Sequence, residues 1–450
     1  MRMLWLKSDL LLPLDKGGKL RTWHLMRHLA QRHEITYLAF AEPGTPEADV
    51  DGMKQVAARV ETIARAEPAK GTLRFYTDAA LHLVDPLPYA VGKYRSAAFR
   101  QRLSELLAEQ PFDLIVCDFL FPAVNLPKRL PCPAVMFTHN VESEIWRRHA
   151  ETKTGVNALL YGAQYRRMLR YEGRTLARFD GVLAVSEVDR DTFARLYPGA
   201  ITQPVHVVQT GVDTEYFGPN HQSINHQSII NHQSSIINSR NLVFTGSMDW
   251  LPNEDAMLYF CRDVLPLIRA EAPGTTVTIV GRAPTPAVKK LADDYAGVTV
   301  TGRVDDVRPY MRDASVYVVP LRIGGGTRLK IFEAMAMGKA VVSTTIGAEG
   351  LPVTHGEHVL IADEPPAFAR AVVDLMRDPA RRAALEAAAR TLVMERYDWS
   401  AVAGELESAL TRFARLGAQG AEGRHASAPQ SSRVHQPAIS NLQSSQGDAL

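Results

Sequence analysis

Cysteine is scarce in this chain of 450 residues: Cys117, Cys132 and Cys261 lie scattered, with no CxxC spacing among them. An odd, scattered set in so long a chain is no disulfide framework, and it fits a reducing compartment. Long apolar runs are also missing. None approaches the roughly 18 residues that cross a bilayer, so any membrane contact would be peripheral. The opening MRMLWLKSDLLLPLDKGG is partly apolar, but Lys7 and Asp9 interrupt it and no small-residue cleavage site follows. It reads as a first buried strand, and the expected location is the cytoplasm, at the inner face of the cell membrane if at a membrane at all. Charge of one sign does not predominate either, with Lys plus Arg at 51 and Asp plus Glu at 49. Whole-chain charge thus argues neither for nor against nucleic acid, although it falls short of the basic excess of a polyanion-binding domain, and no nucleic-acid partner is expected.

Two nucleotide motifs are absent. No GxGxxG follows the first strand, and Gly17, Gly18 and Lys19 run into Leu20 where a P-loop needs Ser or Thr. The two DxD patterns, Asp49 with Asp51 and Asp189 with Asp191, could suggest a metal-bridged diphosphate. The first falls in what reads as a polar loop and the second opens a helix, so both are taken as structural and no metal is expected.

What is present is alternation. With 46% apolar and 22% charged residues the chain has the make-up of a globular protein, and its length calls for two cores. Strand-like runs MLWL, ITYLAF, LIVCDFL, AVMFTHN, GVLAVS and VHVVQTG alternate with helical stretches over residues 1–215, which predicts a parallel sheet covered by helices. From Asn241 the pattern restarts with NLVFTGS, TVTIVG, VTVTG, VYVVPL, AVVSTT and HVLIA, a second α/β domain over 241–394. Between them, residues 216–240 carry a repeated unit of Asn, His, Gln, Ser and Ile that is too polar to hold a core. His221, His226 and His232 could bind metal in principle, but no Cys or carboxylate accompanies them, and the insert reads as disordered linker. The tail, 417–450, has the same bias and the same expectation.

The segment Val316 to Pro352, VYVVPLRIGGGTRLKIFEAMAMGKAVVSTTIGAEGLP, carries the most chemistry. A buried strand runs into Gly324, Gly325, Gly326 and Thr327, and a helix follows at once. Unshielded NH groups and the helix dipole converge there, and Arg328 and Lys330 add full charges, so a diphosphate fits. Three glycines could also be only a tight connection, with the two cations on a solvated face. Glu333, one and a half turns into the helix, would repel phosphate but could accept two hydrogen bonds from a ribose diol. His139 stands directly after a strand of the first domain, where open α/β sheets present functional groups; a strand-end His can equally be a satisfied structural residue. Asn140, Glu142 and Glu144 follow, one of them a candidate acceptor contact, although helix-entry acids explain the two glutamates as well.

This segment resembles the donor-site signature of the family 4 glycosyltransferases, and the likeness extends over nearly the whole chain. Gly17 and Gly18 resemble the family's N-terminal glycine pair, TGSMDWLPNEDA the opening of its second domain, and ERYDWSAVAGELE its closing helix, here 395–416. The resemblance is nearest to sugar transferases of bacterial exopolysaccharide gene clusters. It implies two facing Rossmann-like domains, the architecture called GT-B, with a C-terminal helix crossing back to the first domain. It implies no cofactor, a nucleotide diphosphate sugar as co-substrate, and a glycan or lipid-linked saccharide as acceptor. Glu333 matches the family's ribose-binding glutamate and His139 its sugar-contacting histidine. The family's first glutamate would fall at Gly325, and the phosphate-binding cations of the loop after the second domain's first strand are replaced by Gly246, Ser247, Met248, Asp249 and Trp250. Neutralising the diphosphate then falls to Arg328, Lys330 and the glycine NH groups, with His139 opposite, in a retaining, metal-independent transfer. A nucleotide-sugar epimerase of the same architecture and a non-catalytic sugar-nucleotide-binding subunit are the rival readings.

Overall fold

The structure, a computed structural model, describes residues 1–15, 17–67, 72, 85–152, 154–218, 240–323 and 329–426. Residues 219–239 of the repeated insert and the 427–450 part of the tail lie outside the described residues, as do Gly324 to Arg328.

The first domain is built on seven parallel strands: β1 (Arg2–Lys7), β2 (Glu34–Ala41), β3 (Arg59–Ala64), β4 (Leu114–Asp118), β5 (Ala134–Phe137), β6 (Gly181–Ala184) and β7 (Val205–Val207). Their spatial order is β3-β2-β1-β4-β5-β6-β7. Both faces of the central strands are covered, which is why they read as unbroken apolar runs. Along β1, Met3 and Trp5 enter one core and Leu4 and Leu6 the other. The strand order reverses between β1 and β4, and the register there sets Lys7 beside Asp118 at the two carboxyl ends. Open α/β sheets form their binding crevice at such a reversal.

The second domain repeats the plan with β8 (Asn241–Thr245), β9 (Thr276–Val280), β10 (Val298–Val300), β11 (Val316–Val319), β12 (Val341–Ser343) and β13 (Leu360–Ile361), ordered β10-β9-β8-β11-β12-β13. Its reversal falls between β8 and β11, so Gly246 and the segment that follows β11 from Pro320 to Ile323 leave the sheet at the crevice. All three cysteines are free.

Seven helices matter for function: α1 (Gly17–Leu29), α2 (Glu142–Thr152), α3 (Gly155–Leu176), α4 (Glu187–Leu196), α5 (Leu329–Ala336), α6 (Pro379–Arg396) and α7 (Trp399–Ala426). α6 packs Leu385, Ala389 and Val393 into the second core, whereas α7 sends Trp399, Leu406, Leu410 and Phe413 into the first. The chain thus returns to the domain in which it began.

Three features differ from the sequence reading. β3 is an edge strand with a charged, half-exposed sequence, so it lacks the apolar run that marks the others. Asp49 and Asp51 sit on a short helix, Glu47–Gly52, rather than in a loop. α7 continues to Ala426, beyond Gly417 where a disordered tail was expected.

Candidate active site

The first-domain half of the site is a buried polar cluster centred on Asp118, the last residue of β4. Its Oδ1 accepts from Lys7 Nζ at 2.8 Å, and its Oδ2 from Thr22 Oγ1 at 2.7 Å and Trp5 Nε1 at 2.9 Å. His139 Nε2 lies 2.6 Å from Oδ1. Burial opposes the Asp118 charge, but Lys7 and His139 overcome that and hold the carboxyl well below the usual carboxylate range. Burial pushes His139 down to about 4, with Asp118 pulling the other way. The imidazole is therefore neutral at pH 7. Its Nε2 hydrogen is committed to Asp118, and Nδ1 is left as a buried acceptor with no partner among the described residues.

That nitrogen faces the start of α1. A Cβ on Gly18 would lie 3.6 Å from His139 Nδ1, and one on Gly17 would lie 3.6 Å from Leu329 Cδ1 of the second domain. A cavity of about 380 Å³ opens here, walled by Gly17, Gly18, Arg21, His139 and Asn140 on one side and reached by Leu329 from the other. An aromatic row extends from it: Phe119 stacks on His139 at 5.0 Å, Phe121 follows Phe119 at 5.1 Å, and Tyr94 stacks on Phe121 at 5.3 Å. Phe119 holds φ at 91°, a strained value for a residue with a Cβ, and its ring reaches the cavity wall.

On the second-domain side, Lys330 Nζ donates to Asn253 Oδ1 at 2.9 Å and lies 4.0 Å from the centre of the Phe244 ring. A side chain on Gly246 would come within 2.7 Å of Nζ. With glycine there the Lys330 ammonium lies directly against the loop after β8, so α5 brings a cation to a loop that carries none at Gly246 to Trp250. Half-buried Glu333 is pushed up to about 7 by burial, with Lys330 opposing. Gly324, Gly325, Gly326, Thr327 and Arg328 lie outside the described residues.

The fold thus gathers Gly17, Gly18 and His139 around one cavity and Gly246 and Lys330 around one loop. Of the three polar residues after His139, only Asn140 reaches the cavity. The Glu142 carboxyl is buried near Glu172, and Glu144 pairs with Arg147 at 2.8 Å. Asp189 is bound to Ser186 at the start of α4, in keeping with a structural role. Among the described residues no group of three or more His, Cys, Asp or Glu side chains could hold a metal. Sequence reading missed Asp118, Lys7 and Arg21. Asp118 ends its strand just as His139 follows one, and Lys7 is the cation that interrupts the first apolar run, so both signals were present.

Two parallel sheets with their reversals facing one cleft are the architecture of GT-B glycosyltransferases, and solved structures agree. Over 92% of this chain and all of the other, the Anabaena Alr3699/HepE structure in complex with UDP superimposes with a TM-score of 0.63 at 17% identity. WaaG, a glycosyltransferase involved in lipopolysaccharide biosynthesis, superimposes over 91% of this chain and 99% of its own, TM-score 0.59, at 15% identity. Two family models match in tandem, Glycosyltransferase Family 4 over residues 16–216 and Glycosyl transferases group 1 over 239–378. The chain belongs to the family 4 glycosyltransferases. A 44.6 kDa protein of the cps region of Klebsiella pneumoniae is 20% identical over 88% of this chain and 96% of its own length. The phosphatidyl-myo-inositol mannosyltransferase of Mycolicibacterium smegmatis is 33% identical, over 32% of this chain and 38% of its own. No helix among the described residues is long and apolar enough to cross a membrane.

Proposed function

We propose that the chain moves a sugar from a nucleotide diphosphate donor to a glycan or lipid-linked saccharide, with retention of anomeric configuration, in exopolysaccharide synthesis. The observation that carries this reading is the single cavity shared by Gly18, His139 and Leu329. It sets the N-terminus of α1 opposite the helix that bears Lys330 and Glu333. The relative in a cps region supports the polymer, and the UDP-bound neighbour supports the donor class.

In this reading the leaving diphosphate gains charge as the glycosidic bond breaks. Lys330 and the positive end of α1 would stabilise it, and the family resemblance gives Arg328 and the glycine NH groups the same task. Neutral His139 accepts a hydrogen bond from a sugar hydroxyl through Nδ1, so it orients the sugar without acting as a proton donor. Glu333 takes the ribose diol. Closure of the two domains would exclude water that could otherwise intercept the sugar.

The experiment incubates the full chain with uridine, guanosine and thymidine diphosphate sugars together with lipid-linked glycans from a polymer-producing cell. The expected result is an acceptor-dependent glycoside whose anomeric NMR coupling matches that of the donor. A product of opposite configuration would remove retention. Interconversion of the donor sugars without any glycoside would instead support epimerisation.

A further inference from the structure

Arg21 lies one turn into α1, a helix with no acidic residue in its first turn, and it lines the cavity shared with His139. Its side chain is 6% exposed, yet among the described residues it makes no hydrogen bond and no ion pair, and its Nε is buried without a partner. The nearest opposite charges are engaged elsewhere. Asp118 is fully occupied by Lys7, Thr22, Trp5 and His139, and Asp189 accepts from Ser186 Oγ at 2.9 Å. A guanidinium taken out of water without a counter-ion is strongly unfavourable, and proteins retain such a group where a ligand completes it. Burial draws Arg21 down to about 10, with Asp189 and Asp118 opposing, so it remains a cation at neutral pH.

Residues 17, 18 and 21 share one side of α1 at helical spacing, so the guanidinium and the free NH groups of the helix N-terminus face the same space. Planar paired donors beside a positive helix end are suited to phosphate oxygens. We propose that Arg21 is an anion-binding residue of the first domain, and that it takes a phosphate group of one of the two substrates. That the phosphate belongs to a substrate rests on the transferase reading; the need for an anion does not. The phosphate has two sources, the donor diphosphate or the phosphate of a lipid-linked acceptor. In either case Arg21 supplies a cation from the facing domain, where the second domain offers Gly246 and Ser247 in place of charged residues.

The test compares wild type with Arg21→Met, Arg21→Lys and Lys330→Ala, all as full chains. Calorimetry with UDP, GDP and inorganic pyrophosphate reads the donor arm, and calorimetry with farnesyl phosphate reads the acceptor arm. The expected result is at least a tenfold loss of affinity in Arg21→Met for one probe class, with partial recovery in Arg21→Lys. A loss for the nucleotides and pyrophosphate assigns the donor, and a loss for farnesyl phosphate alone assigns the acceptor. The second readout is the melting temperature without ligand, which should hold or rise in Arg21→Met, because an unpaired buried charge is replaced by an apolar chain of similar length. A clear fall would show that Arg21 is already paired and would overturn the proposal. Unchanged affinity for every probe would do the same. Pyrophosphate binding that depends on Arg21, with no nucleotide binding to wild type, would uphold the anion site and sink the transferase reading alone.

Discussion

Each atom around Asp118 has a defined task, and the substitutions there should separate. His139→Ala removes the acceptor Nδ1 but leaves Lys7, Thr22 and Trp5 on the carboxylate. Turnover should therefore fall at least tenfold while donor affinity changes little, since a group reaching the sugar from the facing domain acts mainly in the closed state. Equal losses in both would mark His139 as structural. Asp118→Ala should instead unfold more easily, by about 3–5 kcal/mol in urea titrations, because Lys7 would be left buried without its counter-ion. Lys330→Ala belongs to the other half of the site. It should weaken donor binding by at least tenfold, the value of one charge-assisted contact of about 1.5 kcal/mol or more. Wild-type donor affinity would place the diphosphate elsewhere. His139 and Lys330 could be read as candidates because a strand end and a glycine turn mark them in the linear sequence. Arg21 could not, because its significance is a missing partner, and absence of a partner exists only in three dimensions.

At the scale of elements, legibility followed burial. Strands covered on both faces appear as apolar runs and were placed; β3, exposed along one edge, has no such run. The start of α2 shows a different kind of hidden device. Its first NH groups, at Glu142 and Ser143, are satisfied by the Glu172 carboxylate of α3 at 2.8 and 3.1 Å, and Tyr197 Oη adds a bond to Glu172 at 2.6 Å. A cap supplied from a residue 30 positions away cannot be seen in local sequence. Its presence also crowds a second carboxyl: burial, and then Glu172, push Glu142 up to about 8. A folded-state value above the ordinary one means that the native protein binds the extra proton, so this contribution is present at low pH and is lost as pH rises from about 4.5 to about 8. His139, depressed by burial, acts in the opposite sense between about 4 and 6.5. Measured between pH 7 and 9, above the histidine window, wild-type melting temperature should fall, and Glu142→Gln should flatten that fall. An identical slope in the variant would assign the pH dependence to other groups.

For the whole molecule, the two halves of the site belong to separate cores, and α7 is the covalent return that keeps the second domain attached to the first. Phe413 shows how closely it fits: a Cβ on Gly181, the first residue of β6, would collide with the Phe413 ring, so the strand must carry glycine for the helix to seat. The sequence motif at 395–407 announced a helix there, but which core it would enter depended on the break at Tyr397 and Asp398, where the backbone bridges to Val212. Because Phe413 is fully buried in the first core, Phe413→Ala should destabilise that core by about 3–5 kcal/mol, the usual effect of emptying an aromatic site. Hydrogen exchange should then quicken in the β5 and β6 amides, while the β8 and β11 amides keep wild-type protection, since Phe413 packs within the first core. Donor binding, assigned largely to the second domain, should outlast transfer, which needs His139 held in place by the first. Loss of protection in both sheets together would show that the domains open as one cooperative unit, and the division of labour between the cores would have to be abandoned.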